Sequence, residues 1–118
     1  MDAKYKEHIE RAYNTISPLL GVFSLEDTLL VFDMYFTEYE RHMSRQHPFL
    51  KTEQLADIIE RLHYCEGTYR AFPSYRADYL PADYETIIRA HFRTKYAAGC
   101  DYNINHFMSG VIRFMRCF

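Results

Sequence analysis

Tryptophan is absent from this sequence of 118 residues, which contains only four glycines, four prolines and three cysteines. The glycines stand singly at positions 21, 67, 99 and 110, so no glycine-rich loop is present to cradle a phosphate group. The cysteines are odd in number and lack framework spacing, which excludes a disulfide scaffold and favours reduced thiols. Zinc and calcium ligand spacings are also missing. We therefore expect no cofactor, no metal and no enzymatic activity.

Two alternatives to this expectation stay open in the sequence. His63 and Cys65 would bind zinc if Cys100 or His106 completed the site, although their spacing does not require it. Cys100 also precedes a predicted helix, which is a setting in which a thiol becomes nucleophilic. A buried cysteine and a hydrogen-bonded histidine explain the same residues without any chemistry.

Neither sign of charge dominates the chain, whose net charge is −2 at neutral pH. A general nucleic-acid-binding protein is usually strongly basic, so this class is disfavoured. No long apolar run occurs, and Met1 to Lys4 show no signal-peptide pattern. With 48% hydrophobic and 25% charged residues, the composition is typical of a folded protein. We expect one cytoplasmic domain over residues 1–118 that does not bind membranes.

Charge distribution and aromatic content are the unusual features of the composition. Residues 1–65 carry seven basic and eleven acidic residues, whereas residues 66–118 carry seven basic and five acidic residues. This asymmetry would orient a charged partner, although it is also common on ordinary surfaces. Eleven tyrosines and nine phenylalanines make up 17% of the chain. Tyrosine is favoured at protein interfaces, and it also fills small helical cores.

The segment 24–46 predicts the central helix of the fold. Ser24 stands three residues before Asp27, as in a shortened capping box. A face with alternating steps of four and three residues follows, made of Leu25, Leu29, Phe32, Phe36, Tyr39 and Met43. More than half of the circumference is apolar, so other helices must cover it from several sides. We therefore predict an all-α bundle of about five helices around a buried central helix.

Apolar periodicity predicts four further helices, over residues 3–16, 53–64, 83–98 and 103–116. Thr52 is the expected N-cap of the helix at 53–64, and Gly67 is its expected end. Gly99 has the position of a C′ glycine after the next helix. At the corner before Thr52, we expect Phe49 and Leu50 to pack under the helix pair.

A long irregular loop over residues 66–82 is the main candidate for a binding surface. It contains Pro73 and Pro81 and lacks helical or strand periodicity, and loops of this length in small domains usually carry function. The predicted binding residues in it are Tyr69, Arg70, Tyr75, Arg76 and Tyr79. Among them we expect Tyr75 to be exposed and Tyr79 to be partly buried.

A DNA-binding helix-turn-helix is the alternative. The helices at 83–98 and 103–116 are joined by a short link that contains Gly99, as that motif requires. Asn105 and Arg113 would then contact DNA from the second helix. Asn105 is explained equally well as part of a helix N-cap.

The segment 99–113 resembles the tail of small uncharacterised proteins carried by conjugative elements and plasmids of Firmicutes. The resemblance rests on Gly99-Cys100-Asp101-Tyr102-Asn103-Ile104-Asn105-His106-Phe107, followed by Ser109-Gly110 and Ile112-Arg113. It implies that the protein regulates transfer or replication of such an element or disarms a host defence, as anti-CRISPR proteins do. No known binding residues come with it.

These observations predict a non-enzymatic inhibitor whose partner is a protein, a host defence nuclease such as a CRISPR effector. Acidic residues of the first and third helices would compete with nucleic acid for a basic channel of the nuclease. They are Glu7, Glu10, Glu53, Asp57 and Glu60, for which an ordinary solvated face is the simpler explanation. A DNA-binding accessory or regulatory protein of a mobile element, acting through the C-terminal helix, is the less favoured alternative. The oligomeric state stays open.

Overall fold

The computed structural model describes residues 1–16, 24–70 and 84–107, with side chains described except over residues 63–70. Within these ranges the chain forms five helices and no strand, which confirms the all-α prediction. The helices are α1 (Ala3–Ile16), α2 (Leu25–Met43), α3 (Thr52–Arg70), α4 (Tyr84–Phe92) and α5 (Lys95–Gly99). A helical turn over residues 104–107 follows α5. No helix in the described ranges combines the length and apolar character needed to traverse a bilayer.

The predicted N-cap of α2 is confirmed, because the Ser24 hydroxyl accepts a hydrogen bond from the Asp27 amide at 3.1 Å. The helix ends at Met43, three residues before the predicted Gln46. Ser44 adopts a left-handed conformation with φ of 56°, and its amide donates to the Glu40 carbonyl. The left-handed residue ends the helix before the His47-Pro48 pair.

The apolar face of α2 packs into the core as predicted, although one stripe of the helix stays in solvent. Val31, Phe32, Tyr35 and Tyr39 are fully buried, while Leu30 is 41% exposed. α2 packs mainly on α4, and α1 packs mainly on α3. Among the described helices, α1 and α3 therefore form one pair and α2 and α4 another, and α2 buries its apolar face while Leu30 stays in solvent.

The helix α3 is longer than the sequence predicts. It does not end before Gly67 but continues to Arg70, so residues 66–70 of the predicted loop are helical. A glycine inside a helix costs only about 1 kcal/mol relative to alanine, which the rest of the helix can offset. Thr52 is the first helical residue rather than the N-cap, and Lys51 holds the cap position, its amide donating to Gln54 Oε1 at 2.9 Å. The remainder of the predicted loop lies outside the described residues.

The helix predicted at 83–98 is broken in two. Its predicted inner face, Tyr84, Ile87, Ile88, His91 and Phe92, is buried throughout. Thr94 causes the break, because its hydroxyl donates to the His91 carbonyl at 2.7 Å and accepts from the Ala97 amide at 3.1 Å. The prediction for Gly99 was wrong, since the left-handed residues are Asp101 and Tyr102, with φ of 53° and 56°.

Candidate functional site: an aromatic and basic groove

Phe49 is the most exposed large hydrophobic side chain in the described part of the chain, at 69% of its full accessibility. It lies in the corner of residues 47–51 that joins α2 to α3. The neighbouring Leu50 is 4% exposed and belongs to the core. The expectation that both would pack under the helices was therefore right for Leu50 and wrong for Phe49.

The Phe49 ring is held by two aromatic residues of α1. The His8 ring stacks on it with centroids 5.0 Å apart and planes inclined by 17°. The Tyr5 ring meets it edge to face at 5.4 Å. We call these three rings the aromatic platform. Such pairs contribute about 0.5–1.5 kcal/mol beyond the area that they bury, so the exposed ring has a defined orientation.

Hydrogen bonds fix the backbone on both sides of Phe49. The Leu50 amide donates to the Tyr5 hydroxyl at 3.3 Å, and His8 Nε2 donates to the Leu50 carbonyl at 2.9 Å. Before Phe49, His47 Nδ1 donates to the Pro48 carbonyl at 2.9 Å. Burial raises the pKa of the Tyr5 hydroxyl, against the opposing effect of the Leu50 hydrogen bond, so Tyr5 stays neutral at physiological pH. Side-chain hydrogen bonds thus tie the platform to the corner and hold Phe49 in place.

An open groove of about 520 Å³ runs beside the platform. It is lined by Asp2, Lys4, Tyr5, His8, Arg11, Gln46, His47 and Phe49. Lys4, His8 and Arg11 are spaced by four and three residues, which places them on one stripe of α1. The volume of the groove falls within the range of about 300–1,000 Å³ that is usual for ligand-binding clefts. The groove therefore combines an aromatic surface with a basic edge.

His47 connects the groove to the C-terminal part of the chain. Its Nε2 accepts a hydrogen bond from the Ile104 amide at 3.1 Å, while Nδ1 carries the proton that goes to Pro48. Its ring lies 4.7 Å from the Tyr39 ring and 4.9 Å from the Phe36 ring. Burial lowers the pKa of His47, so the imidazole is neutral and has one tautomer.

Asn105 lines a second, polar cleft of about 250 Å³ between α3 and the turn at 104–107. Arg61 donates to both the side-chain Oδ1 and the backbone carbonyl of Asn105. Arg61 also pairs with Asp57 at 2.8 Å. The Asn105 amide donates to Asn103 Oδ1 at 2.9 Å, which places Asn103 in the capping role. Asn105 is therefore engaged within the protein.

The other predicted site residues cannot be placed around this cleft. Tyr69 and Arg70 lie in the last turn of α3, and their side chains are not described. Tyr75, Arg76, Tyr79 and Arg113 lie outside the described residues. The predicted acidic surface is exposed at all five of its positions, which are Glu7, Glu10, Glu53, Asp57 and Glu60. Cys100 is half-exposed and is the C-cap of α5.

Sequence reasoning missed the aromatic platform. The spacing of Lys4, His8 and Arg11 was a readable signal for a basic stripe on α1. Nothing in the local pattern around Phe49 distinguishes it from the buried Leu50, because the difference depends on where α1 packs. The platform could be found only from the tertiary structure.

Comparison of the chain with protein-family models, with curated proteins and with solved structures found no match. Within the described residues, no group of three or more histidine, cysteine, aspartate or glutamate side chains is arranged to hold a metal ion. The fold and the groove thus define an all-α protein with a preorganised aromatic surface.

Proposed function

We propose that this protein acts by binding another protein through the groove, with Phe49 as the anchor of the interface. The observation that carries the proposal is the combination of high exposure and fixed geometry at Phe49. Binding hot spots are buried aromatic side chains that contribute far more than their neighbours. An exposed aromatic ring whose orientation is already fixed is suited to that role.

Preorganisation gives this ring an energetic advantage over an ordinary surface phenylalanine. Immobilising a flexible side chain on binding costs about 0.5–1.5 kcal/mol. At Phe49 the stacking on His8 and the hydrogen bonds at Leu50 have already restricted ring and backbone. More of the burial energy therefore appears as affinity.

In its most specific form, the proposal is a non-enzymatic inhibitor of a host defence nuclease, such as a CRISPR effector. Support comes from the resemblance of residues 99–113 to accessory proteins of mobile elements. The acidic residues of α1 and α3 also suit competition with nucleic acid for a basic channel. For the DNA-binding alternative, the described residues add no support, because Asn105 is held by Arg61.

Co-purification with candidate effectors, followed by a DNA-cleavage assay, tests the proposal. We expect the wild-type protein to inhibit cleavage and Phe49→Ala to bind roughly 30-fold more weakly, since loss of a hot-spot side chain costs about 2 kcal/mol. Tyr96→Ala is the matched control, because Tyr96 is an exposed aromatic residue of α5 away from the groove. Undiminished cleavage at saturating protein would reject the inhibitor, and equal binding by Phe49→Ala would reject the site.

The same variant must be shown to fold. Phe49→Ala removes a largely exposed side chain together with its contacts to the Tyr5 and His8 rings, so we expect the free energy of unfolding to fall by about 1–2 kcal/mol. Leu50→Ala, one residue further on, should cost about 2–5 kcal/mol because Leu50 is buried. Urea unfolding of the two variants separates loss of a surface anchor from loss of the fold.

A further inference from the structure

We infer that the groove accepts an acidic segment of the partner protein, with an apolar side chain packed on the aromatic platform. This inference rests on the proposed function and specifies the chemistry of the partner. Its basis is the charge of the groove edge together with the exposed face of Phe49.

In the described part of the chain, the cations of the basic stripe of α1 are not paired with an acid. Lys4 and Arg11 are both exposed, and neither forms an ion pair with another described residue. Among the described residues, Asp2 is the single carboxylate that lines the groove, and its Oδ1 accepts a hydrogen bond from the Tyr5 amide at 2.8 Å. Asp2 thereby serves the N-terminus of α1. The cations stay available to a ligand.

The positions of the two cations and of the aromatic platform determine how far apart the carboxylates of the bound segment must be. Lys4 and Arg11 are two helical turns apart, which is about 10 Å along the axis of α1. His8 lies between them on the helix, and its ring stacks on the Phe49 ring. A segment with two carboxylates about 10 Å apart and an apolar side chain between them would meet all three features.

A nucleic acid fits the groove less well. Binding along a phosphate backbone requires a run of cations, because each phosphate contact is electrostatic. Here Glu7 is exposed beside the basic stripe, and Glu40 lines the smaller depression that adjoins the groove at Asp2 and His47. These carboxylates interrupt the run of cations that a polyanion needs, whereas a short segment with two acids would contact only Lys4 and Arg11.

A symmetric contact between two copies of this chain is also disfavoured. In a two-fold interface the same surface meets itself. Lys4 and Arg11 would then lie in one interface with the same two cations of the copy, and like charges in contact are destabilising.

Peptide selection tests the inference and does not require the partner itself. A random dodecamer phage library is selected on the immobilised full-length protein and counter-selected on Phe49→Ala. Enriched peptides are synthesised, and their dissociation constants are measured by fluorescence anisotropy at low and high salt. An oligothymidine is measured in parallel, and light scattering reports self-association.

Two double variants give the charge test a matched control. Lys4→Glu/Arg11→Glu reverses the basic stripe, and Arg93→Glu/Lys95→Glu reverses two exposed cations outside the groove. Both change the net charge equally. We expect the first to weaken peptide binding by about tenfold or more and the second by less than about twofold. High salt should weaken wild-type binding because it screens the exposed cations.

Each outcome decides the inference. Enriched peptides that combine aspartate or glutamate with an apolar residue, and that lose affinity in the first double variant, support it. Enrichment of apolar peptides without acids would overturn it while leaving the protein-binding proposal intact. No enrichment relative to Phe49→Ala would overturn both. Tighter binding of oligothymidine than of any peptide would assign the groove to nucleic acid, and self-association lost in Phe49→Ala would assign it to a second copy.

Discussion

His47 Nε2 accepts a hydrogen bond from the Ile104 amide at 3.1 Å, across 57 positions of sequence. This bond attaches the turn at residues 104–107 to the corner that presents Phe49. Because His47 Nδ1 donates to Pro48 at the same time, one neutral imidazole holds both segments. The groove and the C-terminal part of the described chain are therefore mechanically connected.

Replacing His47 should loosen this connection. His47→Leu leaves the Ile104 amide without its acceptor, and a buried unpaired amide costs about 1–3 kcal/mol. We expect a loss of unfolding free energy of that size and faster hydrogen exchange at the Ile104 amide. His47→Gln, whose side-chain oxygen is a replacement acceptor, should retain part of the protection. Unchanged exchange in His47→Leu would show that the bond is not stabilising.

Stability should decrease as the pH falls from about 6.5 to about 4. Burial, with a smaller effect from His106, lowers the pKa of His91 to about 4, and burial also lowers that of His47. In the unfolded chain these histidines bind protons near their ordinary pKa of about 6.5, so acid favours the unfolded state. The stability contributed by the neutral forms is complete above the unfolded pKa and is lost towards the folded pKa.

Urea unfolding at pH 7.5 and 4.5 measures this effect. For His91 alone the loss over the whole interval is on the order of 3 kcal/mol. His91→Phe, which cannot titrate, should flatten the pH dependence even if it lowers stability at pH 7.5. Phe92→Leu is the control, because it changes a buried side chain of the same helix without removing a titratable group. An identical pH dependence in wild type and His91→Phe would contradict the prediction.

Two buried tyrosines on α2 should respond in opposite ways to loss of the hydroxyl. The Tyr35 hydroxyl donates to the carbonyl of the left-handed residue Tyr102 at 2.7 Å. The Tyr39 hydroxyl is buried and has no hydrogen-bond partner among the described residues. Tyr35→Phe should cost about 1–3 kcal/mol, whereas Tyr39→Phe should be neutral or stabilising, because it removes a desolvated hydroxyl.

Thermal unfolding measures the stability of both variants. Their melting temperatures can be compared directly, because both side chains are fully buried and belong to one helix. Equal destabilisation by both would show that Tyr39 finds a partner outside the described residues or a bound water. No effect of Tyr35→Phe would show that the turn at Asp101 and Tyr102 does not depend on this hydroxyl.

The tyrosines of the predicted loop remain a separate test. If Tyr75 is an exposed binding residue, Tyr75→Ala should change stability by less than about 0.5 kcal/mol and weaken partner binding by about 2 kcal/mol. If Tyr79 is partly buried, Tyr79→Ala should lower the melting temperature more than Tyr75→Ala does. A large destabilisation by Tyr75→Ala, on the order of 3–5 kcal/mol, would show that the side chain is structural.

The sequence by itself determined where most of the helices lie and which faces they bury. Helical periodicity and capping are local, so Ser24 could be identified as the cap of α2, and the helix predicted over 83–98 included α4 with its buried inner face. The break at Thr94 and the continuation of α3 through Gly67 were not predicted. At such positions the helical and the turn conformations differ in free energy by only about 1 kcal/mol. Packing of the whole chain decides such close competitions.

The candidate site was decided by the tertiary structure. His8 and Leu50 are 42 positions apart, and Tyr35 and Tyr102 are 67 positions apart, so no local pattern relates them. Phe49 and Leu50 have similar hydrophobic character, yet one is exposed and the other is buried. The difference arises because α1 places Tyr5 and His8 against this corner, where they hold the Leu50 backbone inward and leave the Phe49 ring in solvent. That arrangement exists only once the helices have packed.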